Sequence, residues 1–376
     1  MTEGPDQLLE DKSVVPLELF FDLVFVLGIT QTVALIVSGH DGQALLRAAL
    51  ILAILWWGWT QFTWTANSID LDSDRTRVAF FVAMGAAIVM AVAVPTAFAD
   101  GGIWLAGGYL VLRGIGLWLQ LTETDDVETR ASAQVYAKAS WVGPIVFVIG
   151  ALFESPGRTW IWVAAFALEI VAAGIAGGAA WHLRAGHFAE RHGLIYIIAL
   201  GEGIVAVGLV AAGRGQLDAV VAVTMLLAIF GAAALWWAYF DRFSGWVEEA
   251  LRSAGDGQGV LARDAYSIGH YPMIVGVVMF AAAAEEVVAH PGDPMGEFTR
   301  LLIAISVGLA LLSQAAVSQR ARGPVLIERV VAVFLIALLM LPAIEVRANL
   351  MLFVVVAIVI GALVLERRRP AIAGWA

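Results

Sequence analysis

Long apolar segments run through nearly the whole chain and limit what it can fold into. Hydrophobic residues make up 61% of the 376 positions, charged residues only 14%, and the mean hydropathy is +0.85. Soluble domains carry about 25% charged residues, so this chain lacks the polar surface that water requires. Helices satisfy their own backbone hydrogen bonds in lipid, and about 20 apolar residues are enough to cross a bilayer. The sequence therefore predicts an all-α, polytopic membrane protein in contact with the lipid bilayer.

We expect about twelve transmembrane helices. The predicted spans are 15–38, 43–65, 77–98, 102–121, 139–154, 159–180, 193–212, 217–240, 264–288, 299–317, 325–342 and 348–365. The fifth is the shortest, and the Gly143-Pro144 step near its start predicts a kink or a tilt. The stretches between the spans are short, which leaves no room for a separate soluble domain.

The basic residues predict the orientation of these helices, because Lys and Arg accumulate in cytoplasmic loops. With twelve spans, most of the 22 basic residues fall on the side that holds both termini. The opposite side holds only Arg47, Arg158, Arg214, Arg300 and Arg347. We therefore expect an inner-membrane protein whose two tails, 1–14 and 367–376, are both cytoplasmic.

The two halves of the chain repeat one another. Residues 16–66 align with residues 196–246 without a gap. The matched positions include an acidic residue and a tryptophan pair, namely Asp22 with Glu202 and Trp56-Trp57 with Trp236-Trp237. Six helices per copy is an even number, so the copies are expected to be parallel six-helix repeats.

The predicted domain boundaries follow from this repeat. The first repeat is 15–180, the linker between the halves is the cytoplasmic segment 181–192, and the second repeat is 193–366. Arg77 before the third helix corresponds to Arg263 before the ninth.

Three motifs are distinctive within this apolar background. They are 16–26 (PLELFFDLVFV), 190–202 (ERHGLIYIIALGE) and 263–276 (RDAYSIGHYPMIVG), the last continuing to Ala289-His-Pro291. Together they resemble the bacterial low temperature requirement A (LtrA) family. The resemblance implies a multi-pass membrane protein and a connection to the stress response, but it implies no defined biochemical activity.

A second resemblance concerns mechanism. Phe20-Phe21-Asp22 is similar to the Phe-Ser-Asp signature of organellar and bacterial potassium channels, whose animal members are two six-helix repeats. Here Phe21 stands where that signature has Ser, and the second half has Leu200-Gly201-Glu202. The likeness is one of architecture, and architecture does not fix function.

Acidic residues inside the spans are the first candidates for a site, because charges there are costly and are usually paired or functional. Glu18 and Asp22 are four residues apart and share a helical face. Glu18 also suits the positive end of the first helix. Glu202 lies between two glycines, which allow close approach of a helix or ligand. It is predicted to handle protons or cations, with a structural pairing to an arginine as the alternative.

The ninth helix carries the richest set of polar residues. Arg263, Tyr266 and His270 follow at helical spacing and are expected on one face, with Asp264 alongside. His270 near a carboxylate could relay protons, or it could be a hydrogen-bonded core residue. The outer end of this helix is marked by Glu285, Glu286 and His290, which we interpret as a vestibule or a solvated end.

Arg113 is the basic residue nearest the middle of a span, so it needs a counter-ion. Asp22 and Glu202 are the expected partners, in a structural role. His182, His187 and His192 are predicted to lie in the linker, and one loop carries the whole set, so zinc binding is disfavoured.

The sequence has no Cys and no recognised catalytic motif. We therefore expect no metal and no cofactor, while an enzymatic role is left open as the less favoured alternative. The formal net charge of -10 argues against a nucleic-acid partner.

Three hypotheses remain open at this stage. The first is a channel or secondary transporter for protons or small cations, with a pathway through Glu18, Asp22, Glu202 and His270. The second is an intramembrane enzyme or a protein that binds lipids or small molecules. The third is a stress sensor or scaffold without transport. The sequence leaves open the transported species and the existence of a homo-oligomer.

Overall fold

The computed structural model describes residues 13–124, 126–176, 181–214, 217–341 and 345–369, and in these residues it is helical with no named strand. The helices are α1 (Pro16–Gly39), α2 (Gly42–Ser68), α3 (Asp74–Ala93), α4 (Gly102–Thr122), α5 (Val127–Ser140), α6 (Val142–Ala151), α7 (Gly157–Ala176), α8 (Ala185–Gly213), α9 (Ala219–Phe240), α10 (Phe243–Arg252), α11 (Gln258–Leu261), α12 (His270–Ala289), α13 (Glu297–Arg320), α14 (Ile327–Leu339) and α15 (Ala348–Arg367). The all-α prediction is confirmed. Residues 1–12 and 370–376 of the predicted tails lie outside the described residues.

Ten segments of the described chain are long and apolar enough to cross a membrane, and each overlaps one predicted span. They are Pro16–Gly39, Gly42–Ser68, Asp74–Thr96, Gly102–Thr122, Gly157–Ile175, Ala185–Gly213, Ala219–Arg252, Gly255–Ala289, Glu297–Arg320 and Ala348–Arg367. The chain is therefore a membrane protein with multiple apolar helices, while the count of twelve stays a prediction.

The fifth and eleventh predicted spans are shorter helices. α14 has 13 residues, which at about 1.5 Å per residue is about 20 Å, less than the ~30 Å hydrocarbon core. The other span, 139–154, is divided between α5 and α6, which meet at Trp141. Pro144 has no N–H to donate to the carbonyl of Ser140, so the break falls where the backbone loses a hydrogen bond.

The outward side chains of many helices are large and apolar. Leu23, Val78 and Phe334, for example, are 58%, 60% and 62% exposed. Water would not stabilise so many exposed aliphatic and aromatic groups, whereas lipid chains would. These faces are consistent with contact with the bilayer.

The chain forms two compact units, each assembled from separate stretches. The first contains the described residues up to Thr32, with Leu45–His192 and Leu251–Ser267. The second contains Val33–Ala44, Gly193–Ala250 and the described residues from Ile268 onward. The two predicted repeats, 15–180 and 193–366, stay a prediction.

An aromatic cluster packs the core of the first unit. Phe21 of α1 stacks on Phe62 of α2 with ring centroids 4.6 Å apart, and it meets Phe80 of α3 edge-on at 5.4 Å. Phe21 is completely buried, as are its near neighbours Glu18 and Asp22. The packing of this helix therefore holds two carboxylates inside the unit.

Close backbone contact between α12 and α13 is a feature of the second unit. A Cβ atom at Gly276 would lie 2.6 Å from the Ser306 carbonyl oxygen and 2.7 Å from the Ala310 backbone nitrogen. Small residues allow membrane helices to pack at this distance, where van der Waals contact stabilises them.

Candidate functional site

Two carboxylates of α1 face two basic side chains of α8 in the first unit. We call Glu18, Asp22, His187 and Arg191 the buried charge cluster. Arg191 Nη2 lies 2.8 Å from Asp22 Oδ1, and His187 Nε2 lies 3.0 Å from Glu18 Oε2. A longer contact of 3.6 Å joins Arg191 Nε to Glu18 Oε1. All four side chains are shielded from solvent.

The spacing of these residues explains why they meet. Glu18 and Asp22 are one helical turn apart on α1, and His187 and Arg191 are one turn apart on α8. Each helix therefore presents two polar groups on one face, and the faces match pair by pair. Glu18 also accepts a hydrogen bond from the Val15 backbone N–H at 3.1 Å, as expected for a carboxylate in the first turn.

Aromatic side chains enclose the cluster. The Trp59 indole donates to Asp22 Oδ1 at 2.7 Å, and the Arg191 guanidinium lies 5.5 Å from the centre of the Trp59 ring. His192 meets the same ring edge-on at 5.1 Å. Four buried polar atoms of the cluster, Glu18 Oε1, Asp22 Oδ2, Arg191 Nε and Arg191 Nη1, have no hydrogen-bond partner among the described residues. Such atoms are uncommon in native structures.

The protonation state of His187 follows from its hydrogen bond with the Asn67 side chain. The Asn67 side-chain oxygen accepts from the Arg184 backbone N–H at 2.9 Å, and its amide nitrogen donates to the Arg184 carbonyl at 3.1 Å. These backbone partners fix the orientation of the amide. The same nitrogen lies 3.1 Å from His187 Nδ1, which must therefore be an acceptor. His187 is neutral, and its Nε2–H donates to Glu18.

The cluster consequently holds two carboxylates, one guanidinium and one neutral imidazole. If Glu18 and Asp22 are both ionised, Arg191 balances only one of them. An unbalanced charge shielded from solvent costs several kcal/mol, and binding a proton or a small cation removes it. The arrangement is therefore chemically suited to bind one positive charge.

A second buried ion pair in the first unit is balanced one to one. Arg113 Nη2 lies 2.9 Å from Glu169 Oε2, and both side chains are fully buried. Tyr109 donates to Glu169 at 2.8 Å, while Arg113 donates to Tyr136 and to Gln61, each at 2.7 Å. Every charge here has a counter-charge and hydrogen bonds, which is typical of a structural network.

Beside this network, aromatic side chains form an open cleft that encloses 510 Å³ of space, including its mouth. We call it the aromatic cleft. Its lining consists of Trp57, Thr60, Gln61, Trp64, Gln120, Tyr136, Ala173, Trp181, Gly259, Arg263 and Ser267. All of these residues belong to the first unit.

The second unit has its own buried polar groups. Tyr239 and His270 are hydrogen-bonded at 2.8 Å. Arg329 binds Glu366 through two nitrogens at 2.8 and 2.9 Å, and it also donates to Gln314. Glu202 is buried, with 4% of its surface exposed.

Comparison with protein families identifies the chain. The sequence model of the family described as bacterial low temperature requirement A protein (LtrA) matches residues 13–365. The chain belongs to the LtrA family. The match covers nearly the whole chain and includes both helices of the buried charge cluster, so the recognition made from the three sequence motifs is confirmed.

A relative of this LtrA protein is the uncharacterized protein RA0937 of Rhizobium meliloti (strain 1021). The two are 25% identical over 285 residues, which cover 73% of this chain and 69% of the relative. No solved structure matches this LtrA protein. The comparisons thus give family membership and no activity.

The start of α8 differs from the predicted linker in this LtrA protein. The polar run before residue 193 was interpreted as a loop, but the helix begins at Ala185. His187 and His192 are therefore helical and buried, with 1% and 0% exposure. Because α8 starts earlier than predicted, Glu202 lies beyond the middle of this helix.

His182, the remaining histidine of the predicted linker, is exposed. Its Nδ1 lies 3.4 Å from Asp126 Oδ2. Hydrogen bonds from Thr129 and from His182 hold the pKa of the Asp126 carboxyl below its usual range. No group of three or more possible metal ligands is found among the residues that the structure describes.

Arg113 was predicted to pair with Asp22 or Glu202, and this prediction is wrong. The guanidinium pairs with Glu169, which is not among the predicted site residues. Asp22 pairs with Arg191 instead. The signal available for Glu169 was its ionisable side chain within the predicted span 159–180.

The expected common face of Arg263, Tyr266 and His270 is not maintained. Ala262–Ile268 is a π-helical turn, so the 3.6-residue period on which the expectation rested is interrupted there. Arg263 pairs with its neighbour Asp264 at 2.6 Å. Tyr266 packs against the His192 ring at 4.8 Å.

The other predicted site residues lie near the ends of helices. Arg77 is exposed and contacts Asp72 at 3.0 Å. Glu286 pairs with His40 at 3.0 Å.

Two further members of the predicted outer vestibule are at the end of α12. His290 lies 3.6 Å from Asp293 with most of its side chain exposed, and Glu285 is half-buried. A solvated outer end suits these residues as well as a vestibule does.

Proposed function

We propose that this LtrA protein is a secondary transporter coupled to protons, and that Glu18 and Asp22 are the carboxylates that bind the proton. One observation supports the proposal above all: the two buried carboxylates face a single guanidinium, Arg191, while Asn67 keeps His187 neutral. Protonating either carboxylate removes the unbalanced charge. Buried ionisable groups of this kind mark proton relays in membrane proteins.

A channel or transporter for small cations is the second form of the same proposal. Asp22 Oδ2 is a buried oxygen with no hydrogen-bond partner among the described residues, and oxygen ligands suit hard cations. A sodium or potassium ion would neutralise the cluster as a proton does. The transported ion therefore has to be identified by experiment.

The second unit is proposed to supply its own members of the pathway. Glu202 is a buried carboxylate, and Glu285 is half-buried near the C-terminal end of α12. His270 is held by Tyr239 through a hydrogen bond. These groups can exchange protons, and their replacement by amides tests their role.

The proposed architecture is twelve helices in two parallel repeats, with both termini in the cytoplasm. The gap-free match of residues 16–66 with residues 196–246 supports the repeat. Each unit also has a buried Arg–Glu pair whose arginine donates to a glutamine, but Arg113, Glu169 and Gln61 do not occupy the same positions of the repeat as Arg329, Glu366 and Gln314.

Proton flux into vesicles tests the proposed function. The protein is placed in liposomes that contain a pH-sensitive dye, and a pH gradient is applied with and without gradients of sodium and potassium. Asp22→Asn and Glu202→Gln, singly and together, should abolish the flux. Glu128→Gln, whose side chain is exposed, is the matched control and should retain it. Undiminished flux in the double variant would contradict the mechanism.

A protein that binds small molecules without transport is the second candidate, and the aromatic cleft favours it. In that case the vesicles show no flux under any gradient, while a ligand still binds. A sensor or scaffold would show neither.

A further inference from the structure

The aromatic cleft has walls suited to a flat ring. Trp64 and Trp181 meet edge-on with ring centroids 5.1 Å apart, and Trp57 and Tyr136 contribute two further aromatic surfaces. Aromatic rings prefer offset or edge-on contact with one another, and such pairs contribute beyond simple burial. A planar aromatic molecule therefore matches this lining better than a branched aliphatic one.

Contacts within the first unit hold these walls in place. The Trp64 indole donates to Ser267 Oγ at 2.9 Å, and the Tyr136 hydroxyl accepts from Arg113 at 2.7 Å. Gly259 leaves room for Trp181, because a Cβ there would lie 3.0 Å from the indole ring. A lining fixed before the ligand arrives lowers the entropic cost of binding.

Two polar groups of the lining define what the ligand should carry. Gln120 is 2% exposed, and its Oε1 atom has no hydrogen-bond partner in the described chain. That oxygen is an acceptor, so it suits an N–H or O–H donor on the ring. Among the lining residues Arg263 is the one that carries a permanent charge. Its guanidinium pairs with Asp264 through Nε and Nη2, and its other nitrogen, Nη1, can donate to a carboxylate or a similar anionic acceptor.

We propose that the aromatic cleft binds a flat heteroaromatic monoanion whose ring bears a hydrogen-bond donor. The ring packs among Trp57, Trp64 and Trp181, the donor faces Gln120, and the anionic group faces Arg263. This ligand is the cargo if the proposed transport is correct, and only that part rests on the proposed function.

Binding to the full-length protein in detergent micelles tests the proposal, measured by titration calorimetry with four probes. Indole-3-acetate has the ring, the donor and the anion. 1-Methylindole-3-acetate lacks the donor, tryptamine carries a cation on the same ring, and acetate lacks the ring. Indole-3-acetate should bind, the methylated probe and tryptamine should each bind at least about tenfold more weakly, and acetate should not bind.

Variants locate the site. Arg263→Gln and Trp64→Ala should each weaken indole-3-acetate binding at least about tenfold, and Arg263→Lys should recover part of the loss. Trp160→Ala, which removes an indole that is 63% exposed, is the matched control and should bind as the wild type does. Thermal unfolding of each variant identifies any that fails to fold.

Three results would overturn the proposal: no binding of indole-3-acetate to the wild type, equal binding of tryptamine, or an unchanged affinity in folded Arg263→Gln and Trp64→Ala. The proposed transport is judged separately, because this measurement needs no ion gradient. Binding without flux contradicts transport alone, and flux without binding contradicts the ligand assignment alone.

Discussion

Asn67 donates a hydrogen bond to Nδ1 of His187, with 3.1 Å between the two nitrogen atoms. The Asn67 amide cannot turn over to accept instead, because both of its ends are bonded to the backbone of Arg184. His187 is thereby kept as the neutral tautomer that donates to Glu18. Under the proposed function, this relationship leaves the carboxylates, and not the imidazole, to take up the proton.

Replacing His187 with glutamine tests which group carries the proton. A glutamine can accept from Asn67 and donate to Glu18, as the neutral imidazole does. We expect His187→Gln to fold and to retain proton flux within about twofold of the wild type, a loss below about 0.5 kcal/mol. The vesicle assay measures this directly. Glu18→Gln provides the contrast, because it removes a carrier and should lose the flux. A folded His187→Gln protein without flux would make the imidazole the carrier.

Arg191 should be essential for stability, because it is the one cation of the buried charge cluster. Arg191→Gln leaves two carboxylates without a counter-charge, and breaking a buried ion pair costs about 3–5 kcal/mol. Unfolding in mixed micelles should show a loss of that size. The double variant Arg191→Gln with Asp22→Asn carries one carboxylate fewer and should recover part of it. A double variant no more stable than Arg191→Gln would argue against the assigned pairing.

The Arg113–Glu169 pair should affect stability without affecting transport. Glu169→Gln leaves the buried Arg113 guanidinium without a charge partner, and we expect a loss of about 3–5 kcal/mol in the free energy of unfolding. Flux, normalised to the amount of folded protein, should equal that of the wild type. Reduced flux per folded molecule would place this pair in the pathway.

Close packing between α12 and α13 predicts different effects of alanine at two glycines. At Gly276 an added methyl group meets the backbone of Ser306 and Ala310, and overpacking of this kind costs about 1–3 kcal/mol. At Gly308 the nearest atom, in the side chain of Val333, is 3.6 Å away, which is ordinary contact distance. Gly276→Ala should lower the unfolding temperature in detergent and Gly308→Ala should not. Equal effects of the two substitutions would mean that these helices do not pack as described.

The sequence alone predicts the apolar helices and the two α1 carboxylates of the buried charge cluster. A segment that crosses lipid must be long, apolar and internally hydrogen-bonded. The spans can therefore be recognised in the sequence from their apolar composition. The four-residue spacing of Glu18 and Asp22 places them on one face of α1, as found. In contrast, α14 is shorter than the predicted span 325–342, because Val325, Leu326, Met340 and Leu341 lie outside the helix.

The partners across the site could not be predicted, because they depend on tertiary packing. His187 and Arg191 lie in a polar run that resembles a loop, yet this run is helical and buried. Glu169 is far from Arg113 in sequence, so local spacing gives no indication of the pair. The π-helical turn before His270 changes the helical register, and a pattern based on 3.6 residues per turn does not detect it.

Infrared spectroscopy of the carboxyl groups tests the central claim most directly, namely that Glu18 and Asp22 share one proton. The spectrum of Glu18→Gln in lipid at neutral pH is subtracted from that of the wild type. In this variant Asp22 and Arg191 balance each other, so no proton is needed. The claim predicts that the C=O stretch of one protonated carboxyl group is present in the wild type and absent from the variant. A difference spectrum with only ionised carboxylate bands would contradict it.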